Sequence, residues 1–393
     1  RIFKNTPQLI IFDKMLRSGT IKTNMELNFD KNGKIEENYK IKGSVKGAEI
    51  RILNKDVISN IDLNFDIQNN LYLIKNGKIQ YKEIKFLSSE IKVANKEKYF
   101  LIEGNINNKT SNFDSEKLSI FFKKSLKNLN VKNVKLSSDN NFSLKLNKKL
   151  KISDFSVRSK IKLDKLNYKI DFVKLKNYLP SYNGSVDFED HAIELFIKKN
   201  QLSIKGAGSY LIDTHPEKIN YDISSKNGNF NFKSEININN SPLNIKILNY
   251  QKKENKDSTL FIDGNYKKDK TLFFKKISIN ESKNKFLVND LSLTKDLKIN
   301  YFGLVDLDFI NANEKINEIL LKRDGKNYFI SSKIFDGSVF LDEILTADSS
   351  DGVSRFFKNL NSDFKINIDK IFIDDVNYLK SLKSDIKFKK NNL

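Results

Sequence analysis

The two histidines are the first candidates for chemistry, because imidazole can act as a general base or as a metal ligand. His191 follows Asp190 in a run that alternates apolar and polar residues, and His215 precedes Pro216. The two lie far apart in the chain and show no metal-ligand spacing. We therefore interpret His191 as a solvated strand residue and His215 as a solvated turn residue, with no catalytic or metal-binding role.

Glycines and paired acids give no stronger signal for catalysis. Gly206-Ala207-Gly208 lacks the third glycine and the following helical pattern of a dinucleotide site, so it predicts a strand kink or a close backbone approach. Adjacent acids such as Asp374 and Asp375 would point to opposite faces of a strand. The sequence has no nucleophile elbow, no kinase motif set and no cysteine. We expect neither an enzyme nor a cofactor or metal site.

The net charge is a weak indication of anionic partners. Lys and Arg total 70 against 49 Asp and Glu, which gives a formal net charge of +21. Such an excess can attract the phosphates of nucleic acid or lipid. Because the lysines are scattered singly among acids, we predict weak affinity for anionic membranes and no nucleic-acid site. Basic residues interleaved with aromatics occur at Phe121 to Lys124 and at Phe273 to Lys276, but a stacking surface needs a concentrated basic patch, and the lysines here are spread evenly among acids.

Alternation of apolar and polar residues is the dominant pattern, and it indicates strands with one buried and one wet face. The spacing predicts roughly 25 strands, too many for a flat open sheet. We therefore predict a mainly β fold: a long, twisted antiparallel sheet curled into an open trough with an apolar concave face. The residues predicted to line this groove are Leu63, Phe65, Tyr168, Ile170, Phe230, Phe232, Ile366 and Ile368.

Turn and helix signals divide this pattern. Favoured hairpin pairs stand at Asn32-Gly33, Asn76-Gly77, Asn183-Gly184 and Asn227-Gly228, with related pairs at Asp263-Gly264, Asp324-Gly325 and Asp336-Gly337. A glycine inside a strand is the alternative for the last three. Apolar spacings of three and four predict a helix over 115–130 and a second one from Glu314 to Lys322. With 4 Pro, few domain breaks are signalled, and we interpret residues 1–393 as one continuous, elongated, repetitive β segment of a longer protein.

Two stretches resemble a known family. Lys176 to Ile212 reads KNYLPSYNGSVDFEDHAIELFIKKNQLSIKGAGSYLI, and the region 329–393 runs from FISSKIFDGSVFLDEIL to LNSDFKINIDKIFIDDVNYLKSLKSDIKFKKNNL. The first resembles segments of AsmA-like proteins of Gram-negative envelopes in which Leu-Pro leads to a Gly-started strand and a hairpin. The second resembles the C-terminal region of the large YhdP-type members of that family.

This resemblance implies a bridge-like lipid-transfer protein involved in outer-membrane biogenesis. An inner-membrane anchor would lie outside this chain, and a periplasmic β-groove would carry phospholipid between the inner and outer membranes without catalysis. The implied partners are phospholipid and the two membranes. The family has no invariant catalytic motif that could be carried over to numbered residues here.

Other classes remain as alternatives. A structural or adhesive surface protein, such as a solenoid or an autotransporter-like chain, would show regular short rungs with stacked ladders. An outer-membrane barrel would need strands of about 10 residues that alternate apolar and polar side chains, with aromatic girdles. The lysines of this chain do not keep to one side of that alternation. The hairpin-linked longer runs favour the lipid trough over both.

Overall fold

Strands dominate the computed structural model, which describes residues 15–36, 38–51, 56–114, 130–149, 151–169, 173–268, 271–295, 297–339, 341–342 and 362–388. Strands make up 74% of these described residues, and twenty-two of the strands found there belong to one mostly antiparallel sheet. Helix within the described ranges is limited to short pieces such as the 3-10 turns Val173–Asn177 and Lys246–Leu248. The predicted fold class, mainly β with a long antiparallel sheet and few short helices, is confirmed.

The strands are numbered in chain order. They are β1 (Leu16–Glu26), β2 (Lys40–Arg51), β3 (Val57–Gln68), β4 (Leu71–Tyr81), β5 (Ile84–Asn95), β6 (Tyr99–Asp114), β7 (Asn130–Asn147), β8 (Ile152–Lys169), β9 (Ser185–Lys198), β10 (Gln201–Leu211), β11 (Glu217–Lys226), β12 (Asn229–Asn237), β13 (Leu243–Ile245), β14 (Tyr250–Lys252), β15 (Ser258–Tyr266), β16 (Leu272–Glu281), β17 (Asn284–Leu293), β18 (Ile299–Tyr301), β19 (Leu304–Ile310), β20 (Ile316–Asp324), β21 (Asn327–Ser332), β22 (Phe335–Asp336), β23 (Ser362–Phe372) and β24 (Tyr378–Phe388).

The chain divides into two compact units. Unit 1 comprises Arg1–Leu166 and Asp190–Leu202, and unit 2 comprises Asn167–Glu189 and Ser203–Leu393. In unit 1, each strand from β1 to β6 pairs antiparallel with the next strand of the sequence. This meander follows from the alternating pattern, since short hairpins bring consecutive strands together.

Unit 2 repeats the meander with two exceptions. Strands β11, β12, β15, β16, β17, β19, β20 and β21 pair antiparallel in that order. The separate hairpin β13–β14 is inserted between β12 and β15. Strand β21 then pairs in parallel with β23, which pairs antiparallel with β24.

Hairpin turns only partly follow the Asn-Gly signals. Asn227-Gly228 joins β11 to β12 with φ values of 54° and 83°, as predicted. The turns at Asn69-Asn70 and Lys82-Glu83 also have two positive φ values, although their sequences did not indicate them. The turn predicted at Asn76-Gly77 is wrong, because Asn76 (φ 53°) lies inside β4 at a bulge. Bulges and type I′ turns need the same left-handed backbone, so an Asn-Gly pair in the sequence is compatible with either.

One helix prediction is wrong, and another falls mostly outside the described residues. Glu314 to Lys322 contributes to strand β20, where Leu321 pairs with Val305 and Ile319 with Leu307. Pairing on both edges overrides the local spacing of apolar residues, which fits a short strand as well as a helix. Of the helix predicted over 115–130, residues 115–129 are not described, and Asn130 begins β7.

Bulges keep the apolar side chains of unit 1 on one face. Left-handed residues Gly47, Asn60 and Asn76 interrupt β2, β3 and β4, each beside a register shift. The apolar parity switches at each of these points; for example, Ile74 precedes Asn76 and Ile79 follows it. Without the extra residue, half of each strand would turn its apolar side chains to the opposite face.

Candidate functional site

Unit 1 has one uncharged face that continues from strand to strand. Residues directly opposite each other in paired strands share a face, so the registers of β1 to β7 define it. The unit-1 apolar face comprises Ile21, Met25, Ile41, Val45, Leu63, Phe65, Ile67, Tyr72, Ile74, Ile91, Val93, Phe100, Ile102, Phe142, Leu144 and Leu146.

Unit 2 has a face of the same kind. The unit-2 apolar face comprises Ile219, Ile223, Phe230, Phe232, Ile236, Leu260, Ile262, Tyr266, Leu272, Phe274, Ile277, Ile279, Phe286, Val288, Leu291, Leu293, Val305, Leu307, Phe309, Ile319, Leu321, Tyr328, Ile330, Phe364, Ile366, Ile368, Leu382 and Ile386. The charged residues Glu217, Glu281 and Arg323 share its parity at the ends of β11, β16 and β20. Between those ends the face offers long apolar contact without a charge.

The opposite face of each unit is charged and wet. Lysines there form ion pairs across neighbouring strands, as Lys42 does with Asp66 (3.7 Å) and Lys285 with Asp306 (2.6 Å). Such exposed pairs contribute little to stability, about 0–1 kcal/mol each, but they keep lysine heads in water. Much of the excess positive charge therefore lies on the face opposite the apolar side chains.

The structure places most of the predicted groove residues on these apolar faces. Leu63 and Phe65 lie on the unit-1 apolar face, while Phe230, Phe232, Ile366 and Ile368 lie on the unit-2 apolar face. Ile368 is buried, and the other five of these are partly buried. Tyr168 is partly buried at the end of β8, and Ile170 lies outside the described residues.

Aromatic rings on these faces lie over glycines of the neighbouring strand. A Cβ built on Gly43 would meet the Phe65 ring at 2.5 Å, and one on Gly264 would meet the Phe232 ring at 2.8 Å. Gly206 makes the same contact with the Tyr221 ring, at 2.4 Å. The close contact at Gly206-Ala207-Gly208 therefore comes from a side-chain ring rather than from another backbone segment. Glycine lets each ring lie flat across the sheet, which widens the apolar surface.

A short polar network interrupts the unit-1 apolar face. The Ser138 hydroxyl donates to Asn108 Oδ1, and Asn140 Nδ2 donates to the Ile106 carbonyl at 2.8 Å. Asn108 Nδ2 donates in turn to the Lys109 carbonyl at 3.0 Å. These amides are neutral and their polar groups are paired, so they cost far less on an apolar face than a charge would.

The inserted hairpin β13–β14 covers one margin of the unit-2 apolar face. Tyr250, 1% exposed, packs on Phe286 and Phe309 with ring centroids 4.5 and 5.8 Å away. Leu243 and Ile245 of the hairpin join the same cluster. Beside it, Tyr182 and Leu179 pack near Ile219 and Ile236. These segments remove that margin from water, whereas Phe232 belongs to none of these buried clusters.

Buried polar groups anchor the hairpin. The Tyr250 hydroxyl donates to Glu281 Oε2, and Lys252 Nζ donates to the carbonyls of Asn239 and Ser241 at 3.0 and 2.9 Å. Tyr210 makes a matching bond to Glu217 at 2.8 Å. Burial, together with the neighbouring carboxylate, raises the pKa of Tyr250 and of Tyr210. Burial lowers the pKa of Lys252, against the opposing effect of Glu217 and Glu281. The arrangement satisfies polar groups that burial would otherwise leave unpaired.

A third cluster packs near the opposite margin of unit 2. Phe302 lies 4.6 Å from the Tyr328 ring, which stacks on Phe364 at 4.8 Å with 14° between the planes. Burial raises the pKa of Tyr328. The cluster links β21 and β23 across the parallel pairing and fixes the local register.

The residues first considered for catalysis are not brought together. His191 is 2% exposed, so its interpretation as a solvated residue is wrong: it has the same parity as Ile193 and Leu195 and points to the buried side of β9. His215 is exposed in a turn, with Nδ1 2.9 Å from the Thr214 hydroxyl, as predicted. No group of three or more His, Cys, Asp or Glu within the described residues could hold a metal ion.

The acidic pair Asp374-Asp375 lies in a turn rather than a strand. The Asn377 backbone N–H donates to Asp374 Oδ1 at 2.6 Å and Val376 N–H at 2.8 Å. These bonds hold the pKa of Asp374 below its ordinary value, as expected for a carboxylate that caps a turn. Asp375 accepts instead from Asn313 Nδ2 at 2.9 Å. The pair therefore organises a turn.

Sequence reasoning missed the inserted hairpin and a cavity beside Arg323. The hairpin carries its own signal in retrospect, because Leu243, Ile245 and Leu248 form a short apolar run between β12 and β15. The cavity, a shallow depression of about 380 Å³ that is widely open to solvent, is lined by Phe273, Asp290, Tyr301, Gly303, Arg323 and Gly325. Those residues come from β16, β17, β18 and β20 and from the connections at Gly303 and Gly325, and no local spacing relates them.

Comparisons with known proteins identify no relative: no family model, no curated protein and no solved structure matches the chain. In the part of the chain that the structure describes, no helix is both long and apolar enough to cross a bilayer.

Proposed function

We propose that this chain binds phospholipid through its acyl chains and passes it along the two apolar faces. In the full proposal each face lines a hydrophobic β-groove in the periplasm, where the protein carries lipid between the inner and outer membranes of a Gram-negative envelope without catalysis. The anchor in the inner membrane and the envelope location rest on the resemblance to AsmA-like proteins. The binding of lipid rests on the faces themselves.

The observation that supports this proposal is the continuity of uncharged side chains through paired strands. Phe65 in β3 lies opposite Ile74 in β4, which lies opposite Ile91 in β5. The Phe232 ring in β12 lies across Gly264 in β15 and contacts Phe274 in β16, which lies opposite Leu291 in β17. An acyl chain needs such a path, because an unpaired charge along it would cost several kcal/mol to desolvate. Lipid head groups can remain in water while the chains lie on the face.

Phe232→Asp tests the proposal at a defined point. The Phe232 ring lies over Gly264 and edge-on to Phe274, with centroids 5.9 Å apart. A carboxylate there would interrupt the apolar path, and water can still reach the partly buried position. We expect wild-type protein to carry co-purifying phospholipid, detected by mass spectrometry. We expect the variant to transfer lipid between vesicles at least about tenfold more slowly while its circular dichroism is retained.

Asn231→Asp is the matched control. Asn231 is exposed on the polar face, its cross-strand neighbours Ser224 and Asn265 are uncharged, and the substitution adds one negative charge next to the tested position. Lys233→Asp would be a poor control, since Lys233 pairs across the sheet with Asp222 and Asp263. Charge reversal there would bring three carboxylates together.

A structural or adhesive β protein is the competing function. In a solid β core, Phe232→Asp would unfold the chain, because the charge would have no water. On an adhesive surface, wild-type protein would carry no lipid and neither substitution would change that. Equal effects of Phe232→Asp and Asn231→Asp on transfer would contradict the distinction between the two faces.

A further inference from the structure

The cavity beside Arg323 brings together opposite charges that do not neutralise each other. It is lined by Asp290 of β17 and Arg323 of β20, with Tyr301 and Phe273 on its walls. Within the described residues, neither Asp290 nor Arg323 forms an ion pair within 4.0 Å. Two exposed, opposite charges that line one cavity without direct contact leave space for a ligand that carries both signs.

Gly303 positions both charged residues. Its carbonyl accepts a hydrogen bond from the Arg323 backbone N–H at 2.9 Å. A Cβ at residue 303 would lie 2.9 Å from Asp290 Cβ and 3.0 Å from Asp290 Oδ2, so only glycine leaves room for that carboxylate. Asp290 also has a left-handed backbone, with φ 54°.

Arg323 is held with part of its guanidinium available. Its Nε–H donates to the Gly325 carbonyl at 2.8 Å, and its planar face lies 4.5 Å from the Tyr301 ring centroid. These contacts use one donor and the face of a group that has five N–H donors. The remaining edge has the geometry that binds phosphate or carboxylate through paired hydrogen bonds.

We propose that this cavity binds a small zwitterionic group in which a phosphate and a primary ammonium are joined by a short linker, the phosphate at Arg323 and the ammonium at Asp290. Phe273 adds aromatic surface to the same cavity, which favours a cation, while the Tyr301 ring packs against the guanidinium of Arg323. The volume of about 380 Å³ accommodates a group of this size. The same chemistry occurs in free phosphoethanolamine and in the head group of phosphatidylethanolamine.

Calorimetry on the full chain with soluble phosphoethanolamine and with glycerol phosphate tests the ligand class. We expect wild-type protein to bind phosphoethanolamine at least about tenfold more tightly than glycerol phosphate, because only the former has an ammonium. Asp290→Asn should remove that preference and leave phosphate binding. Arg323→Gln should weaken both ligands by at least about tenfold. Equal affinity of the wild type for the two ligands, or an Arg323→Gln variant that binds as wild type does, would overturn the proposal.

Two neighbouring substitutions control for net charge. Lys322→Gln and Asp324→Asn change exposed residues beside Arg323 that do not line the cavity, so both should bind as wild type does. Loss of binding in either control would show that general charge is responsible and would also overturn the proposal. Far-ultraviolet circular dichroism confirms that each variant folds, and Gly303→Ala provides a second way to displace the Asp290 carboxylate.

Vesicles distinguish the source of the ligand. Tighter binding to phosphatidylethanolamine vesicles than to phosphatidylglycerol vesicles, lost in Asp290→Asn, supports a lipid head group. Binding of soluble phosphoethanolamine without a vesicle preference supports the site with the free compound as its ligand. If wild-type protein carries lipid but shows no preference for an amine in either form, the proposed lipid function stands and the cavity proposal fails.

Discussion

Removing the hydroxyl of Tyr250 should loosen the inserted hairpin from unit 2. Tyr250→Phe keeps the ring against Phe286 and Phe309 but deletes the hydrogen bond to the buried Glu281. Asn284 Nδ2, at 2.9 Å, still donates to that carboxylate. Loss of one hydrogen bond to a buried charged group costs about 1.5–3 kcal/mol, which corresponds to roughly a tenfold to hundredfold change in an opening equilibrium.

Hydrogen exchange at two amides measures this change locally. Asn244 N–H donates to the Tyr178 carbonyl and Ala312 N–H to the Asn249 carbonyl, both at 2.8 Å, so both report on the seated hairpin. Their protection should fall by about tenfold to hundredfold in Tyr250→Phe. Tyr266→Phe is the control, because Tyr266 is 36% exposed and its substitution should change stability by less than about 0.5 kcal/mol. Unchanged protection of Asn244 and Ala312 in Tyr250→Phe would refute the reasoning that the buried hydroxyl anchors the hairpin.

Three further outcomes follow from burial and close contacts. Because the folded-state pKa values of Tyr210 and Tyr250 are raised above the ordinary 10.0, the folded chain keeps protons that the unfolded chain loses, so stability followed by circular dichroism should fall as pH rises above about 10. Gly264→Ala should lower urea stability by about 1–3 kcal/mol, because the added Cβ would meet the Phe273 carbonyl oxygen at 2.6 Å and the Phe232 ring at 2.8 Å. Gly77→Ala, whose nearest contact is 3.5 Å, should be tolerated, and equal losses in the two variants would contradict the close packing at Gly264. His191→Ala should destabilise the fold by about 2–4 kcal/mol without abolishing lipid binding in protein that does fold.

Strands and their sidedness could be predicted from the sequence because they depend on a local period of two. The alternation of Phe230 and Phe232 with polar residues is enough to place both rings on one face. Turn positions were less secure, since Asn76-Gly77 uses left-handed backbone inside a strand while Asn69-Asn70 uses it in a turn. The error at Glu314 to Lys322 arose because a short apolar run fits both periods.

The covered and charged parts of unit 2 could not be predicted from the sequence, because they depend on distant partners. Tyr250 meets Glu281 only after β13–β14 folds back over the sheet. Asp290 and Arg323 line one cavity only because Gly303 lies between their strands. Neither arrangement produces a periodic pattern in the sequence, and no fixed spacing relates the residues involved.

The meander of unit 1 also has a consequence for the kinetics of folding. Each strand from β1 to β6 pairs with the next one in sequence, so most contacts close short loops, and short loops close quickly. Such a sheet can grow strand by strand as the chain leaves the ribosome. The pairing of β12 with β15 across the hairpin, and the parallel pairing of β21 with β23, close longer loops. These two pairings in unit 2 should therefore form later. They determine how long the apolar side chains of unit 2 stay exposed to solvent, where they can aggregate.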